Sequence, residues 1–171
     1  MPSVTDRRDY SRFETIQVRE PAEGLHRLTL NRPQQMNAVN ATLCAELGAY
    51  FLALQDDLSV RVVLLDARGR NFCAGLDLSE LERILAAGNG PAAGLRLQRA
   101  YSELILRMRR CPQPIIALVQ GAASGAGLAL TLASDVRFAS DDARFNVAMA
   151  RIGMTGCDVG ISYFLPRAVG T

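Results

Sequence analysis

One stretch of the chain is a turn made almost wholly of residues too small for side-chain chemistry, a second carries a shorter small-residue turn, and this makes both candidates for backbone chemistry. Phe72-Cys73-Ala74-Gly75-Leu76-Asp77-Leu78 follows the apolar run 62–65, and Gln120-Gly121-Ala122-Ala123-Ser124-Gly125-Ala126-Gly127 follows the apolar run 115–119. Each then leads towards residues at helical spacing. Gly, Ala and Ser let a ligand approach the main chain, and the free N–H groups at a helix start attract negative charge or a polarised oxygen. Set side by side at the ends of two strands, the stretches would offer two amides to one oxygen, an arrangement that stabilises charge developing on a carbonyl. A thioester suits it, because its α-protons become acidic when the carbonyl oxygen is held. The same composition also suits a helix lying tight against a sheet, and on these residues alone both readings stand.

Side chains able to move a proton are few. His26 is the only histidine, and in Leu25-His26-Arg27-Leu28-Thr29-Leu30 it alternates onto the face of Leu28 and Leu30, which predicts a packed strand position. Asp77 reads as a residue that caps or holds its loop in preference to transferring a proton. Asp158, in Thr155-Gly156-Cys157-Asp158-Val159-Gly160, is open to two readings of equal weight: a catalytic carboxylate in an apolar pocket, or the N-cap of a helix beginning at Ile161. A serine nucleophile at Ser124 has little support, because Gly-x-Ser-x-Gly is not satisfied and His26 is the only base at hand.

Composition excludes more than it proves. All basic residues among the 19 Lys and Arg are arginine. Without lysine there is no P-loop, Schiff base or lysine general base. A net charge of +2 over 171 residues invites neither nucleic acid nor an anionic membrane. Residues 115–134 are uncharged and about long enough to span a bilayer, but Gln120, Ser124 and the clustered glycines oppose that reading. Four separated cysteines without a C-x-x-C pair suggest reduced thiols and the cytoplasm, and with one histidine no zinc site of ordinary spacing can be assembled.

The elements that must position the two stretches follow from periodicity. Residues 15–19 and 25–30 read as a hairpin, and Asn40 caps a helix whose stripe is Leu43, Leu47, Phe51, Leu54 and Leu58. Ser79 with Glu82 signals a capping box for the next helix, residues around 88–94 read as a mobile loop, and a longer helix runs from about 95 to 110. Short strands are expected at 136–139 and 143–146, and a helix at 161–169. Strands alternating with helices predict an α/β fold, with residues 1–13 as a polar, mobile N-terminal arm and 14–171 as one core domain.

Phe72-Cys73-Ala74-Gly75-Leu76-Asp77-Leu78 and the segment from Val119 to Gly127, preceded by Leu30-Asn31-Arg32-Pro33 and Met36-Asn37-Ala38, together resemble the enoyl-CoA hydratase/isomerase (crotonase) family. The resemblance runs in order from about residue 14 to the end. It implies the crotonase-like superhelix of repeated strand–strand–helix units, an acyl-CoA ligand, no cofactor beyond the CoA ester, and fatty-acid metabolism. It implies oxyanion-hole donors at the backbone N–H groups of Leu76 and Ala126, and CoA contacts around Met36 and Ala38 and around Ala74, Asp77 and Leu78. The family also implies a homotrimer or hexamer and a C-terminal helical region, which this chain, ending at Thr171, is expected to lack.

The two glutamates with which the family hydrates a double bond correspond to Ala129 and Met149, neither of which can transfer a proton. The residues therefore favour isomerisation over hydration, with Asp158 as the candidate shuttle. A non-catalytic acyl-CoA binder is the alternative.

Overall fold

The computed structural model describes residues 9–87, 90–157 and 159–170. The hairpin forms as antiparallel β1 (Ile16–Ala22) and β2 (Leu25–Leu30), with Ile16 opposite Leu30. To it are added, all in parallel, β3 (Val62–Ala67), β4 (Ile115–Val119) and β6 (Val136–Ala139), giving the order β1-β2-β3-β4-β6. A second, two-stranded parallel sheet pairs β5 (Ala122–Ser124) with β7 (Arg144–Asn146). Helices α1 (Ala41–Leu54), α2 (Leu78–Ala86), α3 (Gly90–Arg110), α4 (Ala126–Ala133) and α5 (Ile161–Val169) complete the described residues.

The repeat is readable in this order: β4, β5 and α4 make one strand–strand–helix unit, and β6, β7 and α5 another. In the unit begun by β3 the second strand shrinks to a bridge, Cys73 beside Ala123. These are repeated strand–strand–helix units of the kind the resemblance implies, in an α/β fold.

Local chemistry sets the helix ends. The Asn40 side chain accepts from the Leu43 N–H at 2.9 Å and so starts α1. The helix stops at Leu54, short of the predicted stripe: Leu58 is 88% exposed, in a turn where the Asp57 carboxylate accepts from the Ser59 N–H. At α2 the capping-box expectation gives way, because Asp77 holds the N-cap position and Ser79, one residue inside the helix, donates its hydroxyl back to Asp77 Oδ1 at 2.7 Å. Helix α3 begins at Gly90, so residues 90–94 of the predicted mobile loop are helical; Pro91 needs no N–H partner in a first turn. Gly88 and Asn89 lie outside the described residues.

The core joins the β-sheet to α1, α3 and α4. His26 is buried at 8% exposure on the face of Leu28 and Leu30, as alternation predicts, with its Nδ1 3.1 Å from the Tyr50 hydroxyl. At the end of the polar stretch 1–13, Tyr10 and Phe13 pack against the core and stack on each other at 5.6 Å. All eight residues of α4 are buried, which explains why a charge-free run is needed there. Among the described residues no helix is long and apolar enough to cross a membrane.

Candidate active site

The two small-residue stretches lie side by side because their main chains are laced together. Phe72 N–H donates to the Gln120 carbonyl at 2.8 Å, Cys73 N–H to Ala122 at 2.9 Å, and Ser124 N–H to Cys73 at 2.9 Å. Two glycines make the contact possible for different reasons. A Cβ at Gly127 would lie 2.3 Å from the Cys73 carbonyl oxygen, so α4 can pack this closely only without a side chain there. Gly75 has φ +110°, and a Cβ on it would lie 3.0 Å from the Ser124 carbonyl oxygen and 3.8 Å from the Ala126 nitrogen. Tight packing and an open space beside an amide, alternatives in the sequence, occur together.

Val39 orients the peptide at Leu76. Its N–H donates to the Gly75 carbonyl at 2.7 Å, and its carbonyl accepts from the Asp77 N–H at 3.0 Å. Alternation along this bridge turns the Leu76 N–H to the other side. Ala126 is the first residue of α4, where the helix supplies no acceptor. Among the described residues neither the Leu76 nor the Ala126 N–H donates to a protein acceptor, and both residues line one cavity of about 240 Å³.

The other walls of this cavity are apolar: Leu78, Met149, Met154 and Val159. Its polar members are Gln98, Tyr101 and Thr155. The Tyr101 hydroxyl is committed to the Val39 carbonyl at 2.6 Å, and burial raises its pKa further above the ordinary phenol value. Thr155 Oγ1 accepts from the Cys157 N–H at 3.1 Å. Ala129 is 1% exposed and Met149, 8% exposed, lines the cavity; neither side chain moves a proton. Asp158 lies outside the described residues. The N-cap of α5, the other role read for it, belongs to Gly160.

Met36 and Ala38 run beside Ala74, Asp77 and Leu78. Ala74 N–H donates to the Met36 carbonyl at 3.0 Å. Arg32 reaches Asp77 Oδ2 at 2.9 Å, with both side chains largely buried, and also donates to the Ala38 carbonyl. Asn37, fully buried with φ +53°, accepts from the Arg32 N–H and donates to the carbonyls of Arg68 and Asn71. The Ser79 hydroxyl, and beyond it the Arg32 guanidinium, hold the Asp77 carboxyl below its ordinary pKa of 3.8. An ionised, bonded carboxylate accepts hydrogen bonds and holds its loop, the role favoured for Asp77 by its position.

His26 is not among the residues lining this cavity. The Cys73 thiol is fully buried and pushed up to about 12 by desolvation, which keeps it protonated and inert. Tyr101, Gln98 and Met154 were not distinguishable in the sequence. Tyr101 carries only a core signal there, continuing the helical spacing of Leu97, Leu104 and Met108.

A family profile described as enoyl-CoA hydratase/isomerase matches residues 20–171. The chain is 37% identical over 163 residues to a probable enoyl-CoA hydratase, EchA12, of Mycobacterium bovis, covering 94% of this chain and 57% of that protein. It is 36% identical over 148 residues to 1,2-epoxyphenylacetyl-CoA isomerase of Escherichia coli, covering 86% and 56%. Among solved structures, Pseudomonas aeruginosa AtuE matches with a TM-score of 0.84 at 38% identity, over 92% of this chain and 59% of that one. A monofunctional enoyl-CoA isomerase from M. smegmatis matches with a TM-score of 0.72 at 36% identity, over 92% and 63%. The chain thus spans 57% and 56% of the length of the two curated relatives. On the profile match and these identities, the chain belongs to the enoyl-CoA hydratase/isomerase family.

Proposed function

We propose that this chain forms the acyl-CoA-handling core of an isomerase that stabilises a thioester enolate between the N–H groups of Leu76 and Ala126. The observation that carries this is a pair of amides that have no acceptor among the described residues and belong to residues lining one apolar cavity. Removing a proton from carbon places negative charge on the thioester oxygen, and two preoriented N–H donors lower the energy of that state more than of the neutral ester. Returning the proton to a different carbon completes an isomerisation. Hydration would also need a water held between two carboxyl groups, and Ala129 and Met149 supply neither.

Asp158 carries the proton in this reading. Its support is position: Thr155 and Val159, on either side of it in sequence, both line the cavity. The CoA moiety runs along Met36, Ala38, Ala74, Asp77 and Leu78, supported by the backbone pairing of these segments. The chemistry needs no cofactor beyond the ester. Four widely spaced cysteines without a C-x-x-C pair support a cytoplasmic setting, and the family supports a homotrimer or hexamer.

Calorimetric titration with a medium-chain enoyl-CoA beside free CoA tests the site. We expect the ester to bind at least about tenfold more tightly, a difference of about 1.4 kcal/mol; equal binding overturns the reading. With Asp158→Asn, turnover to the shifted double bond is lost while ester binding is kept. Unchanged turnover removes Asp158 from the mechanism.

A further inference from the structure

Tyr101 stands between two cavities. Its side chain lines the acyl cavity of about 240 Å³ and also a groove of about 230 Å³ between α1 and α3. A seam of about 10 Å³ touches the same side chain from within; it shares Ala126 and Val159 with the first cavity and Leu104 with the second. The ring is held at both ends, by α3 at its Cα and by the Val39 carbonyl, 2.6 Å from its hydroxyl. At 7% exposure it cannot swing aside without breaking a buried hydrogen bond.

The groove behind the ring has room for an apolar chain. Ala41, Cys44, Ala45 and Gly48 of α1 form its floor. Its charged members are already engaged: Arg107 pairs with Glu103 at 3.1 Å and donates to the Gly48 carbonyl at 3.0 Å. An extended acyl chain that passed Tyr101 would therefore meet small and apolar side chains rather than unpaired charge.

We propose that Tyr101 is a specificity-determining residue: its ring ends the acyl pocket and keeps long acyl chains out of the groove between α1 and α3. The inference rests on the acyl-CoA reading above. Each methylene that enters the apolar cavity tightens binding about fourfold, and the gain stops at the length where the chain tip meets the ring. A smaller side chain at this position joins the cavity to the groove and lets the gain continue.

The test is titration of a saturated acyl-CoA series, butanoyl to tetradecanoyl, against the whole chain and its Tyr101→Phe, Tyr101→Leu and Tyr101→Met variants, with thermal unfolding of each. Methionine keeps an apolar, adaptable side chain and serves if the leucine variant does not fold. Affinity in the unsubstituted protein should climb and then stop. Tyr101→Phe should stop at the same length, because the ring remains. Tyr101→Leu or Tyr101→Met should raise the tetradecanoyl-to-hexanoyl affinity ratio about tenfold or more.

An unchanged stopping length in a folded leucine or methionine variant overturns the inference and leaves the acyl-CoA reading in place. So does an affinity in the unsubstituted protein that climbs through the whole series. Failure of every ester to bind more tightly than free CoA overturns both.

Discussion

The wall of the cavity that carries the amides and the wall that should carry the proton chemistry are held in different ways. Loops 72–78 and 120–126 are fixed by hydrogen bonds between residues distant in sequence, such as Phe72 to Gln120, Ser124 to Cys73 and Val39 to Gly75. Across the cavity, the backbone bonds between described residues of 147–160 are short-range: Met149 to Val147, Met154 to Met149, Gly160 to Cys157. The first wall is a frame set by backbone pairing, by its glycines and by the Arg32–Asp77 pair. The second includes a short 3-10 helix, Met149–Ile152, and contributes through its side chains, so substitution there changes the chemistry without disturbing the frame. This is how a side chain that moves no proton, Met149, can line the cavity opposite Leu76 and Ala126 without disturbing their loops.

The sharpest way to break the comparison is Gly75→Ala. It places a methyl group beside the Ser124 carbonyl and the Ala126 nitrogen, at a φ of +110° that alanine resists. Turnover should fall by roughly a hundredfold or more, the scale of losing one oxyanion donor, and the preference for ester over free CoA should go with it. Steady-state kinetics and calorimetry check both. Retained preference would mean the frame does not depend on that glycine.

Next in size is Arg32→Met, which strands the largely buried Asp77 carboxylate. A loss of about 3 kcal/mol in urea unfolding is expected, and Arg32→Met with Asp77→Asn should recover part of it. The pair also has a pH signature. Because the folded Asp77 pKa is depressed below 3.8, its stabilisation is complete above that value and is lost as pH falls through the folded pKa. The stability gap between the unsubstituted protein and Asp77→Asn should therefore be constant near neutrality and close in acid. A gap that persists at low pH would show that the carboxylate's charge is not what holds the loop.

The smallest expected effect is on the second wall. Met149→Leu, a near volume-conserving change in an apolar lining, should cost less than about 1.5 kcal/mol and leave the ester preference intact. A large loss of binding would show that this wall, too, is a frame.

Much of the site was legible because backbone sites leave a compositional trace. Only glycine permits the approach seen at Gly75 and Gly127, and the small residues around them made the two stretches stand out before any pairing was known. His26 was placed by alternation alone, and Asn40 by its capping chemistry. Other features were legible only in part. Strand β5 reads as loop because Ala122, Ala123 and Ser124 have little strand preference; pairing with Arg144–Asn146 decides it. Ser79 and Glu82 match a capping box, yet Asp77, engaged by Arg32 from a distant loop, takes the helix start.

The sequence by itself determined the local terms: which runs are apolar, where helices can begin, which loops carry clustered small residues, and which positions lack a proton donor. Tertiary structure alone decided that Val39 pairs with the backbone of Gly75 and Asp77 on either side of Leu76, that Arg32 and Asn37 tie the loops together, and that Tyr101 lines two cavities. The physical reason is separation along the chain. Propensity and periodicity act over a few residues, whereas Tyr101 and Val39 are 62 positions apart and meet only after the sheet has set the helices over it.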